Sequence, residues 1–371
     1  MKVWGPTRLV SDVQESGLCI GCGACVDLCP YFRSHRGKTV QVFACTLERG
    51  LCFAACPKAE VDLDELAQAC WGRPYEAAPL GPVRMVKAAR AGAALGPGAF
   101  QGGGTVSALI VQALRDGQID AAVLTGGEPC RPQPRVVSTE QGVLACAGTK
   151  FGAAPTLAAL NRAAAEGRRR LAVAGTPCQA VAAAQMRLNP LQRQGFEDPV
   201  AFVVGLFCTW SFDQRPFADF LVRRANGGRV LGMDILPPPN RLLSVRLESG
   251  ALEIPLDAVR PFVQQGCRVC PDLTAEWADA SVGMYEARPG WNTLIVRTAR
   301  AEQLVENAVA GGVLETEDMA ADCLEGLRRA DAAKKERAFR AARESGLLVT
   351  DGSGRWAALR VAADVVDRIL K

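Results

Sequence analysis

The stretch Cys19-Ile20-Gly21-Cys22-Gly23-Ala24-Cys25-Val26-Asp27-Leu28-Cys29-Pro30 decides how the first part of this chain folds. Gaps of two, two and three residues, closed by a proline, are the spacing with which one loop wraps a [4Fe–4S] cubane. Two-residue gaps turn three thiolates onto one face of the cluster, and Gly21 and Gly23 supply the tight turns this needs. The fourth cysteine lies past the loop and points at a second cluster, while Pro30 bends the chain away. A zinc knuckle is the rival reading, but the complete spacing with its trailing proline favours iron and sulfide.

Further along, the pattern returns only in part. Cys52, Cys56 and Pro57 reproduce the end of the bacterial ferredoxin run, but Thr46 and Arg49 stand where two more cysteines belong. Cys45 supplies one missing ligand from a longer loop. By the exchange usual in two-cluster ferredoxins, Cys19, Cys22, Cys25 and Cys56 share one cluster, and Cys29, Cys45 and Cys52 hold the other. Seven ligands leave the eighth open: Cys70, a non-cysteine group, or a [3Fe–4S] centre that needs none. Residues 1–71 are therefore expected to form a small α+β ferredoxin-like domain stabilised by its clusters.

Fifteen cysteines stand against a single histidine, His35, in 371 residues. A chain of this length needs no disulfide scaffold, and clustered cysteines without imidazoles point to all-thiolate redox or metal centres. The formal charge of +4 does not signal a nucleic-acid partner, because basic and acidic residues are interspersed. Each oxidised cubane moreover brings roughly two negative charges. Residues 1–12 lack a basic start followed by an apolar run. The longest apolar stretch, 200–212, is too short to cross a bilayer and is broken by Gly205, Cys208, Thr209 and Ser211. A soluble, cytoplasmic protein of two or three domains without a transmembrane segment is expected.

A linker containing Pro and Gly, 72–82, follows the cysteine-rich region, and a Gly-rich stretch spans 92–104. From there helical and strand patterns alternate. Val106, Leu109, Ile110, Ala113 and Leu114 mark a helix over 105–114 that Gly117 ends. Helices are also predicted over 154–165 and 177–186, and buried strands over 119–125, 171–174 and 200–207. Such alternation argues an α/β core. Beyond 287 the pattern is α/β-like and says little. Helices are expected over 302–310 and 331–345, the second highly charged and solvated. The expected division is 1–71, 83–168, 169–330 and a helical tail, 331–371.

Gln101-Gly102-Gly103-Gly104-Thr105 stands directly before the first of these helices. Glycines admit close approach of a ligand, Thr105 is placed to cap the helix, and a helix N-terminus attracts an anion such as a pyrophosphate. Alone, most such loops are turns, and no G-x-G-x-x-G fingerprint accompanies this one. Four further segments change the weighting. They are Gly148-Thr149-Lys150-Phe151, Gly175-Thr176-Pro177-Cys178-Gln179, Gly205-Leu206-Phe207-Cys208 and Cys267-Arg268-Val269-Cys270-Pro271-Asp272, the last continuing through Ala278-Asp279-Ala280-Ser281-Val282-Gly283. In this order, over about residues 15–285, they resemble the beta-subunit family of coenzyme F420 hydrogenase and related dehydrogenases. That family takes in formate dehydrogenase beta subunits, ferredoxin-fused F420-dependent oxidoreductases and hydroxymethyl chlorophyll reductase.

The resemblance implies an α/β flavin-binding domain of the F420 hydrogenase beta-subunit type, FAD, iron–sulfur clusters and exchange with a two-electron carrier. It places flavin contacts at Gln101, Gly102, Gly103, Gly104, Thr105 and Lys150. A lysine there suits a flavin whose reduced form carries negative charge, although most lysines are simply surface residues. The same resemblance makes Cys178, Cys208, Cys267 and Cys270 ligands of a further [4Fe–4S] cluster. Taken singly, Cys178 at a helix start reads as a reactive thiol, Cys267 and Cys270 as a dithiol, and Cys208 as an apolar core residue. Cys130, Cys146 and Cys323 carry no such signal.

Together the parts describe an iron–sulfur flavoprotein subunit of an oxidoreductase complex. FAD would trade two electrons with a soluble carrier, F420, ferredoxin or a nicotinamide. The clusters would lead to a partner catalytic subunit of hydrogenase, formate dehydrogenase or heterodisulfide-reductase-like type. Two alternatives stand beside this reading: a self-contained FAD and iron–sulfur reductase of an organic substrate, and a relay subunit without flavin. The sequence singles out no catalytic residue.

Overall fold

The computed structural model describes residues 3–98, 100–236, 239–351, 353 and 356–371. Ala99 of the Gly-rich stretch and Gly352, Gly354 and Arg355 of the tail lie outside the described residues. The cysteine-rich region is largely irregular. Strands β1 (Phe32–His35) and β2 (Lys38–Gln41) form an antiparallel hairpin in which Phe32 faces Gln41 and His35 faces Lys38. Arg36 and Gly37 both have positive φ, 44° and 77°, giving the two-residue turn whose twist suits a hairpin. Strand β3 (Val61–Asp62) runs into the helix Leu63–Trp71, whose first N–H groups donate to the Asp62 carboxylate.

The chain then lays down β4 (Met85–Ala91), β5 (Ala121–Glu128), β6 (Arg131–Val137), β7 (Leu171–Gly175) and β8 (Val200–Leu206) of a large sheet. Strands β9 (Val230–Ile235), β10 (Leu242–Leu247) and β11 (Gly250–Pro255) form a small antiparallel sheet of their own. Strands β12 (Ala280–Met284), β13 (Asn292–Val296) and β14 (Leu314–Asp318) complete the large one. Its order is β14-β4-β13-β12-β8-β7-β5-β6, and the central strands β12, β8, β7 and β5 are parallel. Every residue of β7 is buried, as in a strand covered on both faces, so its sequence is an apolar run without alternation.

Helices Thr105–Arg115 and Ala299–Ala310 pack on one face of this sheet, Thr156–Ala165 and Pro177–Arg187 on the other. The period of two along a strand shows directly: Ala122 and Leu124 join the first core, Ala121 and Val123 the second. The second core continues through Leu9, Val13, Phe32, Phe53 and Leu66 of the cysteine-rich region and Phe339 and Val366 near the C-terminus. Apolar burial thus seats the ferredoxin-like region on the sheet. The stretch 72–82, expected as a linker, buries Tyr75, Ala77 and Leu80, and the Trp71 ring stacks on Trp277 at 4.3 Å. Near the C-terminus, β15 (Leu348–Val349) and β16 (Leu359–Arg360) run parallel beside β3, so the tail joins the ferredoxin-like region.

The architecture is the mixed α/β fold with a small ferredoxin-like N-terminal region that the sequence predicts. A further expectation changes. The charged helix expected over 331–345 is the end of a longer one, Ala321–Glu344, and it is not solvated throughout: Asp331, Lys334 and Lys335 are buried.

Candidate iron–sulfur and flavin sites

Three thiol sets emerge from this fold. In the first, the loop brings Cys19, Cys22 and Cys25 together with Cys56, which follows the short helix Leu51–Ala54. Gly21 and Gly23 take φ of 68° and 86°, and a Cβ on Gly21 would stand 2.1 Å from the Gly37 carbonyl oxygen. The loop therefore needs glycine for backbone conformation and for space alike. The four thiols line a small cavity of about 20 Å³, with Leu9, Val13, Ile20 and Lys58 around it. Burial pushes the Cys56 thiol up to about 12, and burial together with the nearby Cys56 and Cys178 raises Cys22 well above its ordinary value. The neutral thiol is thus the stable form without metal, and a bound metal would supply the positive charge that lets these groups ionise.

Cys29, Cys45 and Cys52 make the second set. Burial pushes Cys52 up to about 11, and the charges of Cys29 and Cys45 act on it in addition. The Cys45 side of this set faces the surface, with Phe43 and Leu47 each 64% exposed, while Cys52 is buried. Cys70 sits elsewhere, on the helix Leu63–Trp71, where the charges acting on its thiol are those of Arg187 and Asp279.

The third set comes from the carboxyl ends of parallel strands, the usual place for a ligand in an open α/β sheet. Strands β7 and β8 are neighbours, with Gly175 beside Gly205. Just past their ends stand Cys178, in the first turn of Pro177–Arg187, and Cys208. Thr176 and Gln179 close a capping box over that turn. Cys267 lies in the short helix Gln265–Arg268 and Cys270 just beyond it. Burial pushes Cys178 up to about 12; Cys270 and Cys267 add to this, and Thr176 and Lys58 draw it back. Burial raises Cys208 too, against the pull of Lys334.

Among the described residues, no group of three or more His, Cys, Asp or Glu is set to hold a metal ion. Four thiols around one cavity, as Cys19, Cys22, Cys25 and Cys56 stand, are the donor set that a cubane takes.

On the flavin side, Gln101 joins two of the sequence motifs: its Oε1 accepts from Thr149 N–H at 2.7 Å, and its Nε2 donates to Met233 O at 3.0 Å. Thr105 does not cap the helix. Gly104, at φ 77°, holds the N-cap position, and Thr105 is the first helical residue, its buried Oγ1 without a partner. The Thr105 N–H donates to Asn292 Oδ1 at 3.3 Å, and no N-cap side chain meets the N–H groups that follow, which fits a pyrophosphate there. The glycines also serve the fold itself. A Cβ on Gly103 would lie 2.7 Å from Asn292 Oδ1 and 2.9 Å from Ala89 O. Lys150 donates to the Cys146, Ala147 and Gly148 carbonyls at 2.9–3.0 Å, closing the end of the helix Glu140–Leu144. Burial lowers its pKa.

Residues 168–322 match the family described as the C terminus of the coenzyme F420 hydrogenase/dehydrogenase beta subunit, and residues 87–161 match its N-terminal counterpart. Residues 14–31 match a 4Fe-4S binding domain. The coenzyme F420 hydrogenase subunit beta of Methanosarcina barkeri is 32% identical, over 58% of this chain and 75% of its own length. That of Methanothermobacter thermautotrophicus is 30% identical, over 67% and 90%. A chain of the F420-reducing [NiFe] hydrogenase complex from Methanosarcina barkeri superposes with a TM-score of 0.64 at 30% identity, covering 71% of this chain and 92% of that one.

The chain belongs to the coenzyme F420 hydrogenase/dehydrogenase beta-subunit family. As a member it is an oxidoreductase subunit with an N-terminal 4Fe-4S binding domain. Among its described residues no helix is long and apolar enough to cross a membrane.

Beside the thiols of this beta-subunit-family chain lie charged residues that motif reading missed. Lys58 stands two positions after Cys56, next to a motif and open to notice. Lys334 and Lys335 belong to a helix whose charge pattern reads as surface. Lys335 is paired in the interior with Glu276 and Asp331, whose charges more than offset the burial that opposes its ammonium. Arg297, also buried, donates to the Leu80, Pro82 and Thr274 carbonyls and fastens the 72–82 stretch to the third thiol set's loop.

Proposed function

We propose that this chain carries electrons between FAD and a line of three iron–sulfur centres leading to a partner subunit. One observation carries the reading: the thiol sets adjoin in series. Cys52 acts on Cys25 and Cys56, linking the outer set to the inner one, and Cys178 acts on Cys22, linking the inner set to the third. Bound FAD would take up two electrons together and pass them on singly, which is the exchange such a line requires. For this chain's part, the start of the helix Thr105–Arg115 would receive the pyrophosphate. Gln101 would hold the loop in register with Thr149, and Lys150 would bring a positive charge to the same neighbourhood. The relatives named above are beta subunits of F420 hydrogenases, so F420 is the proposed soluble carrier and a metal-bearing subunit of such a complex the proposed partner. A cytoplasmic location follows for such an assembly.

Metal and flavin analysis tests this. Anaerobically purified protein is expected to contain about twelve iron atoms, or about eleven with a [3Fe–4S] outer centre, and to release FAD on denaturation. Stoichiometric zinc with negligible iron overturns the cluster reading. Full iron without FAD overturns the flavin reading.

A further inference from the structure

A four-thiolate cubane is negatively charged and gains a further negative charge on reduction, so burial away from water makes it harder to reduce. The cysteines of the third thiol set are half-buried, and two buried lysines from outside its loops reach it. Lys334, on the helix Ala321–Glu344, is 5% exposed and donates to the backbone carbonyls of Cys208 and Asp272, the latter at 2.7 Å. Its hydrogen bonds go to carbonyl oxygens, whereas the ammonium of the next residue, Lys335, is held between the Glu276 and Asp331 carboxylates. Two adjacent lysines of one helix therefore divide their work: one is neutralised by acids, and the other turns its charge to the thiol set. Lys58, 4% exposed, lines the inner cavity and also acts on Cys178 and Cys267, so it stands between the inner and third sets. Among the groups whose charge acts on Lys334, Cys270 and Cys208 come before the carboxylate of Asp272, one oxygen of which accepts from the Glu276 backbone N–H.

We propose that Lys334 and Lys58 are positioning residues that set the reduction potential of the centre held by Cys178, Cys208, Cys267 and Cys270. This rests on the reading that those thiols bind a [4Fe–4S] cluster. Lys334 serves the third centre alone, and Lys58 serves the third and inner centres together. Their positive charge offsets the cost of placing an electron in a buried site and keeps the inner end of the line reducible.

The test is a redox titration of the iron-loaded full chain, followed by the spectroscopic signal of each centre. Lys334→Gln keeps a donor for the two carbonyls but removes the charge. It is expected to shift the third centre about tenfold toward its oxidised form, about 59 mV lower for a one-electron couple, with the other centres unmoved. Lys334→Arg should restore the original potential, and Lys58→Gln should lower the third and inner centres together. An unchanged potential in Lys334→Gln at full iron content overturns the proposal. A wild-type chain with about eight irons and no third signal shows instead that the third cluster reading fails, and this proposal with it.

Discussion

The third thiol set and the outer one use the same residue type, yet the chain assembles them in different ways. Cys29, Cys45 and Cys52 come from two loops and a short helix of one small region, with Phe43 and Leu47 exposed beside Cys45. Cys178, Cys208, Cys267 and Cys270 come from the ends of two parallel strands and from a short helix much later in the chain. Lys58 and Lys334, from two further parts of the chain, work against the burial that raises the Cys178 and Cys208 thiols. A local set needs little more than its own loops. A set gathered by tertiary structure exists only when the sheet, the C-terminal helix and the ferredoxin-like region are all in place, so fold and cluster should stand or fall together there.

Removing one ligand from each set is the most forceful way to break this comparison. Cys267→Ala should lose about four irons and destabilise the chain by on the order of 5 kcal/mol or more, because cluster binding there is also folding energy. Cys45→Ala should empty the outer centre with little change in thermal midpoint. Iron content and thermal unfolding of the two proteins check this; an equal loss of stability would show that the outer set is just as deeply coupled to the fold.

A smaller effect is expected from the buried ion group behind the third set. Lys335→Met would leave Glu276 and Asp331 facing each other without a cation in a dry interior, a loss of about 3–5 kcal/mol. Urea unfolding measures it, and adding Glu276→Gln and Asp331→Asn to Lys335→Met should recover most of the loss. If Lys335→Met alone unfolds at the wild-type midpoint, the helix Ala321–Glu344 is not held by this group.

These contrasts track what can be read from sequence. The first cluster loop is legible because its ligands lie within eleven residues and its spacing is set by local geometry. The helices and central strands of the sheet are legible because apolar periodicity reports burial directly: the helix expected over 105–114 is Thr105–Arg115, and the strand over 171–174 is Leu171–Gly175. Charge patterns mislead where tertiary structure overrides them. Asp331, Lys334 and Lys335 read as a solvated face, yet they are buried because each meets a partner far away in sequence. The small sheet β9–β11 and the return of the tail to β3 leave no such trace. Neither has a motif, and a two-residue strand such as Leu359–Arg360 is too short to show a period.

The finest form of the comparison lies in two adjacent residues of the helix Thr156–Ala165, where it meets the cysteine loop. Asn161 is 5% exposed, and its Nδ2 donates to the Ala24 and Val26 carbonyls at 3.0 and 2.7 Å. Arg162, with a side chain 63% exposed, pairs with Asp27 at 2.7 Å. Both hold the same loop to the same helix, one through buried neutral hydrogen bonds and the other through a charged pair in water. Asn161→Leu leaves two buried carbonyls unpaired, at a cost of about 1–3 kcal/mol. Arg162→Ala gives up an ion pair that water and salt already weaken, so about 0–1 kcal/mol is expected, shrinking further as salt is raised. Thermal unfolding of both variants at low and high salt separates the two. Should Arg162→Ala prove the costlier change, charge rather than burial would be what seats the cluster loop on the sheet.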